Sequence, residues 1–253
     1  MKIEEYLASL PESILSGQDV QLSNETFREI FNFANLTKND IFYHLGCGDG
    51  AGLVVAKEEF SPRKIIGIDD SKEKIDTATK KIKKNNYSNI EIICEDVCNA
   101  NFEDADVILF WFFDENVLEK IMPKFSKLKQ ETRIITIWGP LPNCLPYKTK
   151  FPYIMNQIPF KKAKNLKEQL LAIFDVECID FVTAWEFAER YTKSIGRENP
   201  ENDRFLTIIQ SLIIWINAKN LGVACGDDMP QPIKNYISIL KNFFNIEIEH
   251  LLK

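Results

Sequence analysis

The chain has 253 residues, 45% of them hydrophobic and 27% charged, which is enough for one large domain or for a domain with a smaller appended one. Its formal net charge of −6 argues against a protein that binds nucleic acid by bulk electrostatics. The six cysteines include no Cys-x-x-Cys pair and only two histidines accompany them, so the composition also argues against a zinc site.

The central part of the chain alternates between strand-like and helix-like segments. Ser23 is predicted to cap a helix over 25–35. The predicted strands that follow are 40–45, 64–69, 89–94, 105–113 and 132–138, and the predicted helices between them are 51–60, 72–84 and 115–128. Strands separated by helices predict a doubly wound α/β fold, in which a mainly parallel sheet carries helices on both faces.

After Trp138 the pattern changes. Prolines at 140, 142, 146, 152 and 159 separate two extended segments, 147–151 and 153–158, which predict a terminal hairpin at the sheet edge. From about residue 166 the periodicity is helical, with predicted helices ending near 196, 221 and 248. We therefore predict an α/β domain over residues 1–162 and an all-α domain of unknown role over residues 163–253.

The N-terminus is charged and has no apolar run, and the longest apolar stretch, 205–218, is too short to span a bilayer. We therefore expect a cytoplasmic protein with neither a secretory signal nor a membrane anchor. In that compartment the cysteines should be reduced, most of them as small core residues. They are Cys47, Cys94, Cys98, Cys144, Cys178 and Cys225.

A glycine-rich loop follows the first predicted strand, and an acid ends the second. Gly46, Gly48 and Gly50 let the backbone turn sharply and approach a ligand without a Cβ in the way. Asp69, about twenty residues further on, can accept hydrogen bonds from both hydroxyls of a ribose. The two features together predict a site for a cofactor that contains adenosine.

The identity of that cofactor depends on Asp49, which lies in the turn where a dinucleotide would place its pyrophosphate. A carboxylate at this position repels phosphates. It favours S-adenosylmethionine, which has no phosphate and carries a sulfonium and an ammonium group. A dinucleotide-dependent oxidoreductase stays open as an alternative, because the glycine spacing fits that class as well.

The third predicted strand delivers a further acid, Asp96, which can accept from an adenine amino group while Val97 packs on the ring. With this residue in place, 23–160 resembles the class I, seven-strand methyltransferases that depend on S-adenosylmethionine. The resemblance implies a seven-stranded sheet and a cofactor site. The implied cofactor-binding residues are Gly46, Cys47, Gly48, Asp49, Gly50, Asp69, Asp70, Asp96, Val97 and Trp111.

Within that family, the segments 43–49, 105–109, 122–124 and 132–135 look most like the small archaeal protein-lysine methyltransferases. By this resemblance, Trp111 at the end of strand four lines the channel for an incoming lysine. Phe110, Phe112 and Phe113 could extend an apolar corridor or simply pack in the core. Asp114 and Glu115 could guide a cationic acceptor or cap a helix, and Trp138 and the 140–146 loop are further candidates for the acceptor site.

Two positions depart from the family pattern. His44 stands where an acid usually helps to hold the ammonium group of the cofactor, and Ala51 stands where the lysine-modifying relatives often have arginine. A second hypothesis is therefore a non-catalytic binding or scaffold protein that keeps the fold. The first hypothesis remains a methyltransferase, with a protein lysine as the first acceptor to consider and a small molecule or RNA left open as alternatives. The sequence identifies neither catalytic residues nor the oligomeric state.

Overall fold

The computed structural model describes residues 1–9, 22–111, 115–194, 200–226 and 228–252. The chain forms two compact units. One is Leu22–Phe174, and the other combines the described residues of Met1–Gln21 and Asp175–Lys253. This division differs from the predicted one, because it groups the N-terminal segment with the C-terminal helices and keeps 163–174 with the sheet.

The α/β unit is built on a seven-stranded sheet. The described part of this unit has nine strands, seven of them in that sheet. They are β1 (Ile41–Leu45), β2 (Lys64–Asp69), β3 (Ile90–Cys94), β4 (Val107–Phe110), β5 (Arg133–Ile137), β6 (Cys144–Leu145), β7 (Lys148–Lys150), β8 (Tyr153–Gln157) and β9 (Lys161–Lys162). The sheet order is β3-β2-β1-β4-β5-β8-β7, and β6 pairs with β9 separately. Strands β1 to β5 pair in parallel, whereas β8 runs antiparallel to both β5 and β7.

This arrangement confirms the predicted mainly parallel sheet with a terminal hairpin at one edge. The helices of the unit are α2 (Asn24–Phe33), α3 (Ala51–Val55), α4 (Lys72–Lys84), α5 (Glu115–Phe125) and α6 (Leu166–Phe174). A single π-helical turn, Ala56–Phe60, continues α3. Ser23 caps α2 and Ser71 caps α4 through their hydroxyl groups, because the side-chain oxygen accepts from an unpaired backbone N–H of the first turn.

Each face of the sheet carries its own apolar core. Strand side chains alternate between the faces, so Phe42 points into the core that contains α2, while Tyr43 points into the core that contains α5. Phe42, Ile65 and Val107, on three neighbouring strands, are completely buried in the first core. Because β1 is covered on both faces, its buried, mostly apolar sequence follows the pattern expected of a central parallel strand.

The second unit is helical, and the chain has a C-terminal helical region as predicted. Its elements are α1 (Ile3–Ser9), α7 (Phe181–Ser194), α8 (Pro200–Asn220), α9 (Gln231–Phe244) and a 3₁₀ turn, Glu249–Leu251. The N-terminal segment lies beside the C-terminal one: the Ile3 amide donates to the Glu247 carbonyl at 2.9 Å. The Glu247 amide donates in turn to the Met1 carbonyl at 2.9 Å.

One cysteine pair overturns the expectation of six reduced thiols. Cys178 and Cys225 form a disulfide, whereas Cys47, Cys94, Cys98 and Cys144 are free. A parallel bridge between Ile179 and Ala224 brings the two sulfurs together. The two cysteines are 47 positions apart, so local spacing gave no sign of this contact.

Within the described ranges, the structure contains no helix with the length and apolar character needed to cross a membrane.

Candidate active site

The glycine loop lies at the carboxyl edge of the sheet and extends the pairing of β1 with β2. The Gly46 and Cys47 amides both donate to the Ile68 carbonyl, at 2.7 and 3.0 Å. Cys47 is buried, which raises the pKa of its thiol, with the Asp69 carboxylate acting in the same direction. Cys47 is therefore a neutral packing residue within the loop.

All three loop glycines are required by the backbone. Gly46, Gly48 and Gly50 adopt φ angles of 77°, 55° and 78°, in the left-handed region that favours glycine. A Cβ on Gly50 would also lie 2.9 Å from the Cβ of Ala78 in α4. The loop therefore packs directly against α4, and this close contact fixes where the N-terminus of α3 begins.

Asp69 ends β2 and links the loop to the start of the next segment. Its Oδ2 accepts from the Gly48 amide at 2.8 Å, and its Oδ1 accepts from the Ser71 amide at 3.0 Å. A carboxylate offers about four acceptor positions, so each oxygen keeps a further lone pair. Two adjacent acceptors suit the vicinal hydroxyls of a ribose. The neighbouring Asp70 is exposed.

The end of β3 lies beside the end of β2. Asp69 pairs in register with Cys94, and the Glu95 amide donates to the Asp69 carbonyl at 3.0 Å. Asp96 is exposed, and its Oδ1 accepts from the Cys98 amide at 2.8 Å. Val97 packs into the core on the α5 side of the sheet. The structure therefore brings the glycine loop, Asp69 and Asp96 to one edge of the sheet.

Asp49 does not present a free negative charge, contrary to the sequence-based argument. Its Oδ1 accepts from the Ala51 amide at 3.1 Å, and its Oδ2 accepts from the Lys81 ammonium at 2.7 Å. The local sequence shows an acid in a loop, but the cation comes from α4. The repulsion of phosphates is therefore a weaker argument for the cofactor than the sequence alone indicated.

His44 is a core residue in this structure. Its side chain lies on the α2 side of β1, with ring centroids 5.7 Å from Phe27 and 6.3 Å from Phe42. Burial lowers the pKa of His44 to about 4, and the Asp49 carboxylate acts in the opposite direction. The imidazole is therefore neutral near pH 7. Its Nδ1 has no hydrogen-bond partner among the described residues.

The protonation of His44 should make the stability depend on pH. The unfolded chain gains a proton near the reference pKa of about 6.5, but the folded chain gains it only near pH 4, so stability is lost as the pH falls through this interval. We expect wild type to lose about 2 kcal/mol more than His44→Leu between about pH 7 and pH 5. Urea unfolding of both proteins at each pH measures this difference, and equal losses would contradict the prediction.

Trp111 lies at the end of β4, next to the glycine loop. Leu45 and Phe110 pair in register, so the residues that follow them, Gly46 and Trp111, emerge at the same level of the sheet. Trp111 is half-buried against the core on the α2 side, and its indole Nε1 has no hydrogen-bond partner in the described part of the chain. Phe110 is completely buried core, whereas Phe112, Phe113 and Asp114 lie outside the described residues.

Trp138 follows β5 and has an unusual backbone. Its φ angle is 68°, and the Gly139 amide donates to the Ile137 carbonyl at 2.8 Å, so the tryptophan is the central residue of a γ-turn. Such a conformation is strained for a bulky side chain. The Trp138 ring contacts Phe151 edge to face with centroids 4.8 Å apart. Trp138 packs against the same core as Trp111.

Sequence reasoning did not identify Lys81 or Phe151 as neighbours of the site. Lys81 was one of many lysines on a predicted helix. Its spacing of three residues from Ala78 places it near the glycine loop only when the contact between Gly50 and Ala78 is known. Phe151 lies in the terminal hairpin. It approaches Trp138 because β5 and β8 are neighbours in the sheet.

The chain is similar in sequence to known proteins. A family profile described as a methyltransferase domain matches residues 42–130. A protein-lysine N-methyltransferase of Saccharolobus islandicus is 30% identical over 122 residues, which cover 46% of this chain and 73% of that protein. A carboxy-S-adenosyl-L-methionine synthase of Histophilus somni is 32% identical over 82 residues, covering 30% of this chain and 33% of the relative.

A solved structure shows the same fold. The RNA methyltransferase from Salinibacter ruber, determined in complex with S-adenosyl-L-homocysteine, superposes with a TM-score of 0.53 at 20% identity. The match covers 58% of this chain and 99% of that protein. At this level of identity the likeness establishes the fold.

The strand order, the glycine loop and the acid at the end of β2 define a doubly wound α/β fold with a nucleotide-type site at the carboxyl edge of the sheet. The chain belongs to the class I S-adenosylmethionine-dependent methyltransferases. It is therefore an enzyme whose methyl donor is S-adenosylmethionine, as the sequence predicted. The comparisons support neither the scaffold hypothesis nor the dinucleotide-dependent oxidoreductase.

Proposed function

We propose that this enzyme methylates the side-chain amine of lysine in a protein. The observation that carries the proposal is the pair of tryptophans at adjacent strand ends, Trp111 after β4 and Trp138 after β5, which pack against one core. The name of the Saccharolobus islandicus relative points in the same direction. A small-molecule acceptor is the alternative that the experiment below distinguishes.

We also propose roles for the residues at the carboxyl edge. The backbone of Gly46, Cys47 and Gly48 would lie against the methionine part of the cofactor, and Asp69 would accept from the ribose hydroxyls. Asp96 would accept from the adenine amino group, with Val97 packed beneath it. Asp49, Gly50 and Asp70 would shape the loop and its surroundings, and Trp111 would face the transferring methyl group.

The chemistry needs little from the protein besides alignment and a suitable environment. S-adenosylmethionine supplies a methyl group on a positively charged sulfur, which an amine lone pair can take by in-line displacement. A lysine ammonium, with a reference pKa of about 10.4, must first release a proton to solvent to expose that lone pair. Aromatic side chains lower the amine pKa by excluding water, so Trp111 and Trp138 would favour the reactive neutral form.

Transfer of a radiolabelled methyl group tests the acceptor class. Under the proposal, the enzyme labels poly-L-lysine but not fully acetylated poly-L-lysine, because acetylation converts the amine into a non-nucleophilic amide and removes its charge. With a cell extract, the label should enter the protein fraction and be recovered as methylated lysine after hydrolysis. Label confined to the nucleic-acid or small-molecule fraction would contradict a protein acceptor.

Trp138 gives a second test of the acceptor site. The variant Trp138→Leu keeps an apolar side chain but loses the aromatic face, so we expect the KM for poly-L-lysine to rise about tenfold, or about 1.4 kcal/mol. The Kd for S-adenosylhomocysteine, measured by calorimetry, should change less than about twofold, because Trp138 follows β5, which β4 separates from β1 and its glycine loop.

Two further variants serve as controls for this measurement. Trp138→Phe keeps a ring and should show a smaller rise in KM. Trp185→Leu removes a half-buried tryptophan from α7, which stacks on Tyr236 in the helical unit, and should leave the KM for poly-L-lysine unchanged. An unchanged KM in Trp138→Leu would remove Trp138 from the acceptor site.

A further inference from the structure

We infer that Lys81 is a positioning residue for the cofactor loop, acting through Asp49. The Lys81 Nζ lies 2.7 Å from Asp49 Oδ2, and the side chains are 34% and 22% exposed, so the ion pair is partly shielded from water. The inference depends on the established methyl donor and not on the proposed lysine acceptor. It therefore concerns how strongly the enzyme holds its donor.

The geometry connects α4 to the loop at two points. Ala78 is in close contact with Gly50, because a Cβ added to Gly50 would lie 2.9 Å from the Cβ of Ala78. Lys81 follows three positions later on the same helix face. Through Lys81, α4 holds the carboxylate of Asp49, while the other oxygen of Asp49 accepts from the Ala51 amide at the start of α3. Asp49 is thus fixed between two helices.

This fixation matters for the backbone that faces the cofactor. Gly48 and Gly50 flank Asp49, and both have left-handed φ angles of 55° and 78°. A loop with three glycines has many alternative conformations, so an ion pair on the residue between Gly48 and Gly50 reduces the entropy lost on binding. The neighbouring Gly48 amide is also the one that contacts Asp69, the proposed ribose acceptor.

Asp49 could act in two ways, by attracting the sulfonium of the cofactor or by fixing the loop through its ion pair with Lys81. Removal of Lys81 has a different effect on cofactor binding in each case. If Asp49 attracts the sulfonium by its charge, Lys81 opposes that attraction, and its removal should tighten binding of the cationic methyl donor alone. If the pair fixes the loop, removal of Lys81 should weaken the binding of S-adenosylmethionine and of S-adenosylhomocysteine, whose thioether sulfur is neutral, by the same factor.

Calorimetric titration of the full-length protein with both compounds decides between these roles. For Lys81→Met, which keeps the apolar stem, we expect the Kd of each compound to rise roughly threefold to tenfold, the range for a partly shielded ion pair. Lys81→Arg restores the charge and should recover most of the affinity. Lys80→Met, an exposed position on the same helix, is the matched control and should bind as wild type does.

The Asp49→Asn variant tests the same pair from its other side. Asparagine can still accept from the Ala51 amide but cannot form the ion pair, so it should show the same loss as Lys81→Met. The double variant should lose no more than either single one, because both remove one interaction. Tighter binding of S-adenosylmethionine alone in Lys81→Met, or unchanged affinity for both compounds, would overturn the inference.

Discussion

Replacement of Asp69 by alanine is expected to raise the Kd for S-adenosylhomocysteine about a hundredfold, equivalent to about 3 kcal/mol. The proposed ribose hydroxyls lose their acceptor, and the amides of Gly48 and Ser71 lose the carboxylate that now accepts from them at 2.8 and 3.0 Å. Because Asp69 is only 9% exposed, water replaces these contacts poorly. Calorimetric titration measures the change.

Two variants make this result specific. Asp69→Asn keeps one acceptor oxygen and should lose less affinity than alanine does. Asp76→Ala removes an exposed acid from α4 and controls for the change in net charge. If the affinity of Asp69→Ala equalled that of Asp76→Ala, the ribose would have to bind elsewhere, and the assignment of the whole carboxyl edge would fail with it.

The largest expected loss of stability comes from Arg133→Met, at the opposite end of the sheet. Arg133 begins β5, and its guanidinium pairs with Asp40 while the two side chains are only 19% and 10% exposed. Its Nη1 also donates to the carbonyls of Ala34 and Asn35, at 2.6 and 2.8 Å, just after α2. Removal of the arginine leaves a buried carboxylate without its cation, which costs about 3–5 kcal/mol.

Urea unfolding of the α/β unit measures the loss of stability. The affinity of the folded protein for S-adenosylhomocysteine is measured in parallel. Arg28→Met is the matched control: Arg28 pairs with Glu59 at 2.7 Å, but the side chains are 46% and 36% exposed, so the loss should stay below about 1 kcal/mol. Folded Arg133→Met should bind S-adenosylhomocysteine as wild type does, since Arg133 lies at the amino end of β5. Equal stability of the two variants would contradict the prediction.

The sequence predicts those elements whose limits are set locally. The bounds of β2 and α4 agree with the prediction at both ends, because Ser71 caps the helix and the apolar run of β2 stops at Asp69. Strand β4 ends at Phe110, whereas the predicted strand extended to residue 113. The prediction included the aromatic residues after Phe110 because aromatic residues are typical of strands. The register of these parallel strands then brings Gly46, Asp69 and Trp111 to one edge.

The sequence did not predict the contacts between residues that are far apart in the chain. The Asp49–Lys81 ion pair spans 32 positions and the Cys178–Cys225 disulfide 47, and no local pattern marks either. Asp49 therefore looked like a free charge, and the cysteines looked like isolated thiols. His44 looked like a missing ligand, whereas its place beside Phe27 and Phe42 makes it part of the core.

The pairing of Met1 and Ile3 with Glu247 has a consequence for the order in which the chain folds. The helical unit combines the described residues of Met1–Gln21 and Asp175–Lys253. The sheet-containing unit, Leu22–Phe174, is therefore inserted in the sequence between the two segments of the helical unit. During synthesis, residues 22–174 leave the ribosome complete while α1 still has no partner. Deletion of the residues after Asn245 should therefore remove the backbone partner of Met1 and Ile3, Glu247, yet leave a methyltransferase unit that can fold autonomously.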